Sequence, residues 1–207
     1  MATLNSSTPR TWLSSETVTA AQFNEELSSN FNAAVVQPGF VYLTDTNSSV
    51  MTVGLPAILG STHHKHVRIV GVAANESGAA ASLFMRFSGI TSTSYAYSFL
   101  DSSGSNSTGG QGVSTTQALV GLAAGGFSTI SFAPFDITIT NPQSTNWKSW
   151  IFEASLVNST AAGGMRTLMG GGVLQSTIST VTSITLIAGV AGAKFSSGSR
   201  VSAYWIA

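Results

Sequence analysis

The chain contains no cysteine and very little charge. Of its 207 residues, eight are Lys or Arg and eight are Asp or Glu, so 8% of the chain is charged and the formal net charge is zero. An ordinary soluble domain is about 25% charged. Without cysteine, neither disulfide bonds nor thiolate metal ligands are available. Because zero net charge favours association, we expect much of the surface to be committed to neighbouring chains.

The basic residues are scattered, and the apolar runs are short. No cluster of Lys and Arg is suited to following a phosphate backbone, which argues against nucleic-acid binding. The longest apolar runs, 118–127 and 184–193, contain glycine and are far shorter than the roughly 20 residues that a membrane span needs. Residues 1–6 lack the charged start and apolar core of a secretion signal. We expect a soluble protein made in a cytoplasm, without a membrane anchor.

Most of the chain alternates between apolar and polar residues in short segments bounded by Gly, Asn, Ser and Pro. Such segments predict strands of an all-β sandwich or barrel. The candidate strands are 40–43, 50–53, 66–73, 81–87, 94–99, 126–132, 135–140, 147–156, 166–174, 179–187 and 201–206. Residues 101–114, rich in Ser, Gly and Asn, are expected to form the longest exposed loop. We predict a single antiparallel β-sandwich, jelly-roll-like, over residues 40–207.

The last candidate strand follows a Ser-Ser-Gly-Ser turn at 196–199. Its residues alternate, with Val201, Ala203 and Trp205 on one side, which is the period of a strand. Residues 183–187 alternate as well. We expect these two strands to close the chain as a pair.

Residues 1–39 predict an extended arm followed by one short helix. Thr19 and Gln22 have the spacing of a capping box, and Val18 and Phe23 that of a hydrophobic staple. An apolar stripe then recurs at helical spacing: Phe23, Leu27, Phe31 and Ala34. The stripe can pack on the chain's own sandwich, on sister copies or on a docking site.

Two sets of segments resemble structural proteins of tailed bacteriophages. Residues 8–12 (Thr-Pro-Arg-Thr-Trp) and 16–24, with their Val-Thr-Ala-Ala, are similar to the N-terminal motif of phage tail and fibre proteins. The second set is similar to a family of phage virion β-sandwich proteins and comprises residues 83–89, 95–97, 183–186 and 195–206. Ser88 stands where that family commonly has Asn, and the end Ala-Tyr-Trp-Ile replaces its usual Leu-Tyr-Gly-Ile.

The resemblance implies a virion protein. We expect it to be assembled in the host cytoplasm onto the tail or the particle surface and to need no cofactor. We expect a homotrimeric tail-tip or fibre subunit that contacts sister copies and other virion proteins. The alternatives are a capsid decoration protein or head fibre, and a receptor-recognition module for host surface glycans. The residues expected to dock the arm are Trp12, Val18, Phe23, Leu27 and Phe31.

Aromatic residues near the middle of the chain suggest a second kind of contact. Tyr95, Tyr97 and Phe99 are spaced to share one strand face, and exposed aromatic rings can stack on sugars. Tyr95 and Tyr97 are therefore candidate glycan contacts, with core packing or a seam between subunits as the alternative. Trp147 and Trp150 are expected on opposite faces.

The remaining candidates for chemistry are weak. His63, His64 and His66 adjoin one another around Lys65 and are possible metal ligands, but no acidic residue is nearby, and a solvated loop explains them as well. The eight acidic residues are dispersed. Asp136 and Glu153 lie on candidate strands and can meet across a sheet, although a solvent-facing or arginine-paired Asp136 is the simpler reading. No arrangement of nucleophile, base and acid is found, so we expect no enzyme.

Overall fold

The computed structural model describes most of the chain from residue 39 onward. The described residues are 39–42, 48–55, 66–76, 80–88, 90–103, 106–125, 132–140, 142, 146–157, 165–176, 181–189 and 192–206. The predicted arm and helix lie outside this part.

The regular elements of the described residues are all β-strands, and none of them is a helix that could span a membrane. The strands are β1 (Gly39–Tyr42), β2 (Val50–Gly54), β3 (His66–Asn75), β4 (Ala81–Phe87), β5 (Tyr95–Ser103), β6 (Asn106–Thr115), β7 (Ala118–Gly125), β8 (Ala133–Thr140), β9 (Lys148–Val157), β10 (Met165–Leu174), β11 (Ser183–Ala188) and β12 (Arg200–Ile206). The predicted all-β class is confirmed for this part of the chain.

The strands form one hydrogen-bonded sheet, within which two antiparallel arrays are joined at one point. One array has the order β1–β12–β3–β8–β9–β10–β5–β6, and the other the order β2–β11–β4–β7. They meet where β3 ends, because Ala74 and Asn75 pair in parallel with Ala124 and Gly125 of β7. The Asn75 amide fixes this junction by donating to the carbonyl oxygens of Ala123, at 3.2 Å, and Ala124, at 3.1 Å.

Strand β7 lies at the centre of the hydrophobic core, and all eight of its residues are buried. A Cβ atom added to Gly121 would lie 3.4 Å from side-chain atoms of Leu83 on β4, Phe135 on β8 and Ala154 on β9. Thus β7 contacts its own array and the face of the other. A strand that is covered on both sides shows no polar–apolar alternation, which is why the apolar run at 118–127 did not predict one.

Two further sequence predictions are corrected. Residues 101–114 are not an exposed loop, because β5 continues to Ser103 and β6 begins at Asn106. The chain does not close with a pair of neighbouring strands: β12 pairs with β1 and β3, while β11 pairs with β2 and β4. In the predicted strand at 126–132, only Phe132 is described, and it lies outside any strand.

The predicted alternation of the last strand is confirmed where side chains are described. Val201 and Ala203 are buried, and Tyr204 is exposed. Trp147, directly before β9, is 58% exposed, whereas Trp150 on β9 is only 2% exposed, which agrees with the expectation that the two face opposite sides.

Candidate functional site

The core-facing side of β9, β10, β5 and β6 carries two rows in which aromatic residues and glycines alternate from strand to strand. We call them the aromatic–glycine rows. The rows are Phe152–Gly170–Phe99–Gly110 and Trp150–Gly172–Tyr97–Gly112, in strand order. The Gly170–Gly172 run therefore lies in an unbroken part of β10, in continuous register with both of its neighbours.

The glycines leave room for rings that extend across the neighbouring strand. A Cβ atom at Gly170 would lie 2.9 Å from Cε1 of Phe152, and one at Gly110 would overlap the ring of Phe99. Aromatic side chains that cover cross-strand glycines shield the backbone and add contact area that glycine cannot supply. The rows thus explain how β6, with few apolar side chains, is held in the sheet.

Tyr95 is part of the core, which corrects its assignment as a candidate glycan contact. Its side chain is fully buried and packs beside Phe87 and Trp150, with ring centroids 6.1 and 6.4 Å away. Its hydroxyl accepts the Phe87 N–H at 2.9 Å and donates to the Ile90 carbonyl at 3.1 Å. With no exposed surface and both hydrogen bonds internal, Tyr95 is out of reach of a glycan.

Tyr97 and Phe99 lie farther along the same face and are only half-buried. Their ring centroids are 6.4 Å apart and their planes are inclined by 32°. Tyr97 extends over Gly112 of β6, as Phe99 does over Gly110. Partial burial raises the pKa of the Tyr97 hydroxyl, so this group is a neutral hydrogen-bonding phenol at physiological pH. The prediction of a glycan contact at Tyr97 remains untested.

A polar groove adjoins Phe99. Asp101, next on the same face of β5, accepts two hydrogen bonds from Arg166 of β10, from Nε at 2.9 Å and from Nη2 at 2.5 Å. This pairing raises the pKa of the Arg166 guanidinium. The other side chains that line the groove are Ser103, Asn106 and Thr108.

No pattern in the sequence connects these polar residues, because they come from three strands. Thr108 is the direct partner of Asp101, and Asn106 that of Ser103, in the register between β5 and β6. One local pattern does point to the neighbouring aromatic–glycine rows: Gly110 and Gly112 alternate within a run of Ser, Thr and Gln. It becomes informative only when the aromatic residues on β5 are placed opposite.

The opposite face of the large array carries the two acidic residues that the sequence allowed to meet. Asp136 and Glu153 are register partners on β8 and β9. Asp136 forms a two-point salt bridge with Arg68 of β3, whose Nε donates to its carboxylate oxygens at 2.9 and 3.1 Å. The hydrogen bond to Asp136 is the main cause of the raised pKa of Arg68, and Glu153 contributes to it. The expectation of an arginine-paired Asp136 is confirmed.

Large apolar side chains are exposed on the same face as Asp136 and Glu153. Leu100 and Met169 are register partners on β5 and β10, and Ile151 lies on β9, two residues before the Glu153 that faces Met169. Their exposed fractions are 47%, 48% and 67%. We call Leu100, Met169 and Ile151 the outward apolar strip.

Most of the other candidate residues lie outside the described part of the chain. His63 and His64 lie outside the described residues, and so do the docking residues Trp12, Val18, Phe23, Leu27 and Phe31. His66 begins β3, and its buried Nδ1 has no hydrogen-bond partner among the residues that the structure describes. Within the described ranges, no three His, Asp or Glu side chains are grouped to hold a metal ion.

Comparison with protein-family models, curated proteins and solved structures finds no match. The function is therefore inferred from the residues themselves.

Proposed function

We propose that the chain is a structural subunit of a tailed-bacteriophage virion, assembled as a homotrimer at the tail tip or fibre and attached through residues 1–39. The observation that carries this proposal is the outward apolar strip. Exposed apolar residues that adjoin one another across neighbouring strands are typical of protein interfaces. Their burial between subunits would contribute about 25 cal/mol per Å² of apolar area.

The charge distribution favours an assembled state over a monomer. The Arg68–Asp136 and Arg166–Asp101 pairs neutralise four of the sixteen charged side chains. The remaining charges have no excess of either sign, so copies approaching one another meet no net repulsion.

The proposed fold of this subunit is a jelly-roll-like β-sandwich whose layers are the two arrays. Its support is the position of β7, where a Cβ atom added to Gly121 would lie 3.4 Å from Phe135 and Ala154 of the other array as well as from Leu83 of its own. Side chains from two arrays that interdigitate over a common core are the defining feature of a sandwich.

A capsid decoration protein or head fibre would use the same apolar strip and the same arm on a different part of the particle. Imaging of labelled particles distinguishes these positions from the tail.

The role of the strip is tested by the double substitution Ile151→Ser with Met169→Ser. Both side chains point to solvent, so we expect the variant to fold and to lose most of its trimer in analytical ultracentrifugation, with reduced occupancy on particles. Val50→Ser on β2 is the matched control, because Val50 is also an exposed apolar strand residue, at 40%, but belongs to the other array. A wild-type monomer, or a double variant that assembles as the wild type does, would contradict the proposal.

A further inference from the structure

The partly buried rings of Tyr97 and Phe99 form the apolar part of a surface that the assembly proposal does not use. They lie on the core-facing side of the sheet, opposite to the outward apolar strip. Each ring is supported from below by a glycine of β6, Gly112 and Gly110 respectively. Because the glycines carry no side chain, nothing on β6 rises beside the rings at these positions.

The Arg166–Asp101 pair forms the polar part of the same surface. Asp101 is the next residue after Phe99 on this face of β5. Two of the five N–H donors of the Arg166 guanidinium bind Asp101, which leaves three for another acceptor. Asn106 and Thr108 are exposed and border the same groove. The surface thus combines aromatic rings with fixed donors and acceptors.

The charges of this surface select the class of ligand. Arg166 and Asp101 neutralise each other, and the other described side chains that line the groove are uncharged. A phosphorylated or strongly acidic ligand would find no unpaired cation there. A neutral sugar has an apolar C–H face that stacks on aromatic rings and hydroxyl groups that donate and accept hydrogen bonds.

We propose that Tyr97, Phe99 and the Arg166–Asp101 pair form a binding site for a neutral oligosaccharide. Two consecutive sugar units lie against the two rings, and the next unit hydrogen-bonds in the groove with Arg166, Asp101, Asn106 and Thr108. The site adds ligand recognition to the proposed structural role and does not depend on it, since it uses neither the arm nor the outward apolar strip.

The test uses the full chain and three soluble probes: maltohexaose, cellohexaose and chitohexaose. Isothermal titration calorimetry is expected to detect binding of at least one of them. Tyr97→Leu and Phe99→Leu keep an apolar side chain over the β6 glycines but remove the aromatic face, and each is expected to weaken binding at least tenfold. Circular dichroism and the urea midpoint verify that the variants are folded.

Trp147→Ala is the control, because Trp147 is an exposed aromatic residue that lies outside the site, and its loss should leave the affinity unchanged. The proposal is overturned if none of the three hexasaccharides binds, if the leucine variants bind as tightly as the wild type, or if affinity is lost only in Trp147→Ala. These results are independent of trimer formation and of particle occupancy, so this proposal and the structural one can fail separately.

Discussion

At the scale of single residues, Tyr95 shows how a buried polar group fixes a connection between strands. Its hydroxyl binds the N–H of Phe87, at the end of β4, and the carbonyl of Ile90. We expect Tyr95→Phe to leave a buried N–H without an acceptor, at a cost of about 1–3 kcal/mol in the free energy of unfolding. Urea denaturation measures the loss. Tyr97→Phe is the matched control, because no hydrogen bond of the Tyr97 hydroxyl occurs among the described residues, and its stability should be unchanged.

The difference in stability between the wild type and Tyr95→Phe is expected to depend on pH. Burial raises the pKa of Tyr95, with the hydrogen bond from Phe87 acting in the opposite sense. The unfolded chain ionises its tyrosines near pH 10, while folded Tyr95 keeps its proton. The contribution of Tyr95 to the free energy of unfolding is therefore complete below that pH and is lost as the pH rises further. The stability difference between the wild type and Tyr95→Phe should therefore shrink above about pH 10. A difference that stays constant or grows would show that the hydroxyl is not buried as described.

At the scale of elements, the aromatic–glycine rows make a prediction about β10. An alanine Cβ at position 170 would clash with the backbone carbonyl oxygen of Ser98 and would lie 2.9 Å from both Cε1 of Phe152 and Cα of Phe99. The two backbone atoms cannot yield as a side chain can. We expect Gly170→Ala to destabilise the fold by about 1–3 kcal/mol, as overpacking does.

The control for this prediction is Gly109→Ala on β6. There the nearest atom to a new Cβ is the Phe99 carbonyl oxygen, at 3.7 Å, an ordinary contact. Since glycine within a strand is itself unfavourable, the change should be neutral or slightly stabilising in the same urea experiment. Equal destabilisation by both substitutions would mean that the rows do not account for the glycines.

The same elements show what the sequence could and could not predict. Strands with one buried face, such as β4 and β8, were visible because their apolar residues alternate. Strand β7 was missed because both of its faces are covered, and β6 because its contacts are rings supplied by β5. The arginine pairing of Asp136 was expected, but its partner Arg68 lies 68 positions away, and only the register of β3 and β8 brings the two together. Likewise, the burial of Tyr95 depends on Trp150, a residue of another strand.

At the scale of the whole molecule, the division of the chain at residue 39 separates two proposed tasks. The buried hydrophobic residues of the described core run from Met51 to Ala203, and the first described strand begins at Gly39. The core of this part is therefore built from residues beyond the proposed arm. Attachment, by contrast, is assigned to aromatic and apolar residues before position 39.

This division predicts that attachment to particles can be lost while the sheet remains folded. Removal of residues 1–38 should leave the β-type circular dichroism and a cooperative urea transition in place while abolishing occupancy on particles. Trp12→Ala with Phe23→Ala should have the same effect on occupancy in the full-length chain, because burial of each large apolar side chain contributes about 1.5–3 kcal/mol and many attached copies multiply the loss. Ser14→Ala with Ser15→Ala alters the same segment without removing an apolar group and should leave occupancy normal. If the shortened chain is unfolded, or if it attaches to particles at the normal level, residues 1–38 are not a separate docking arm.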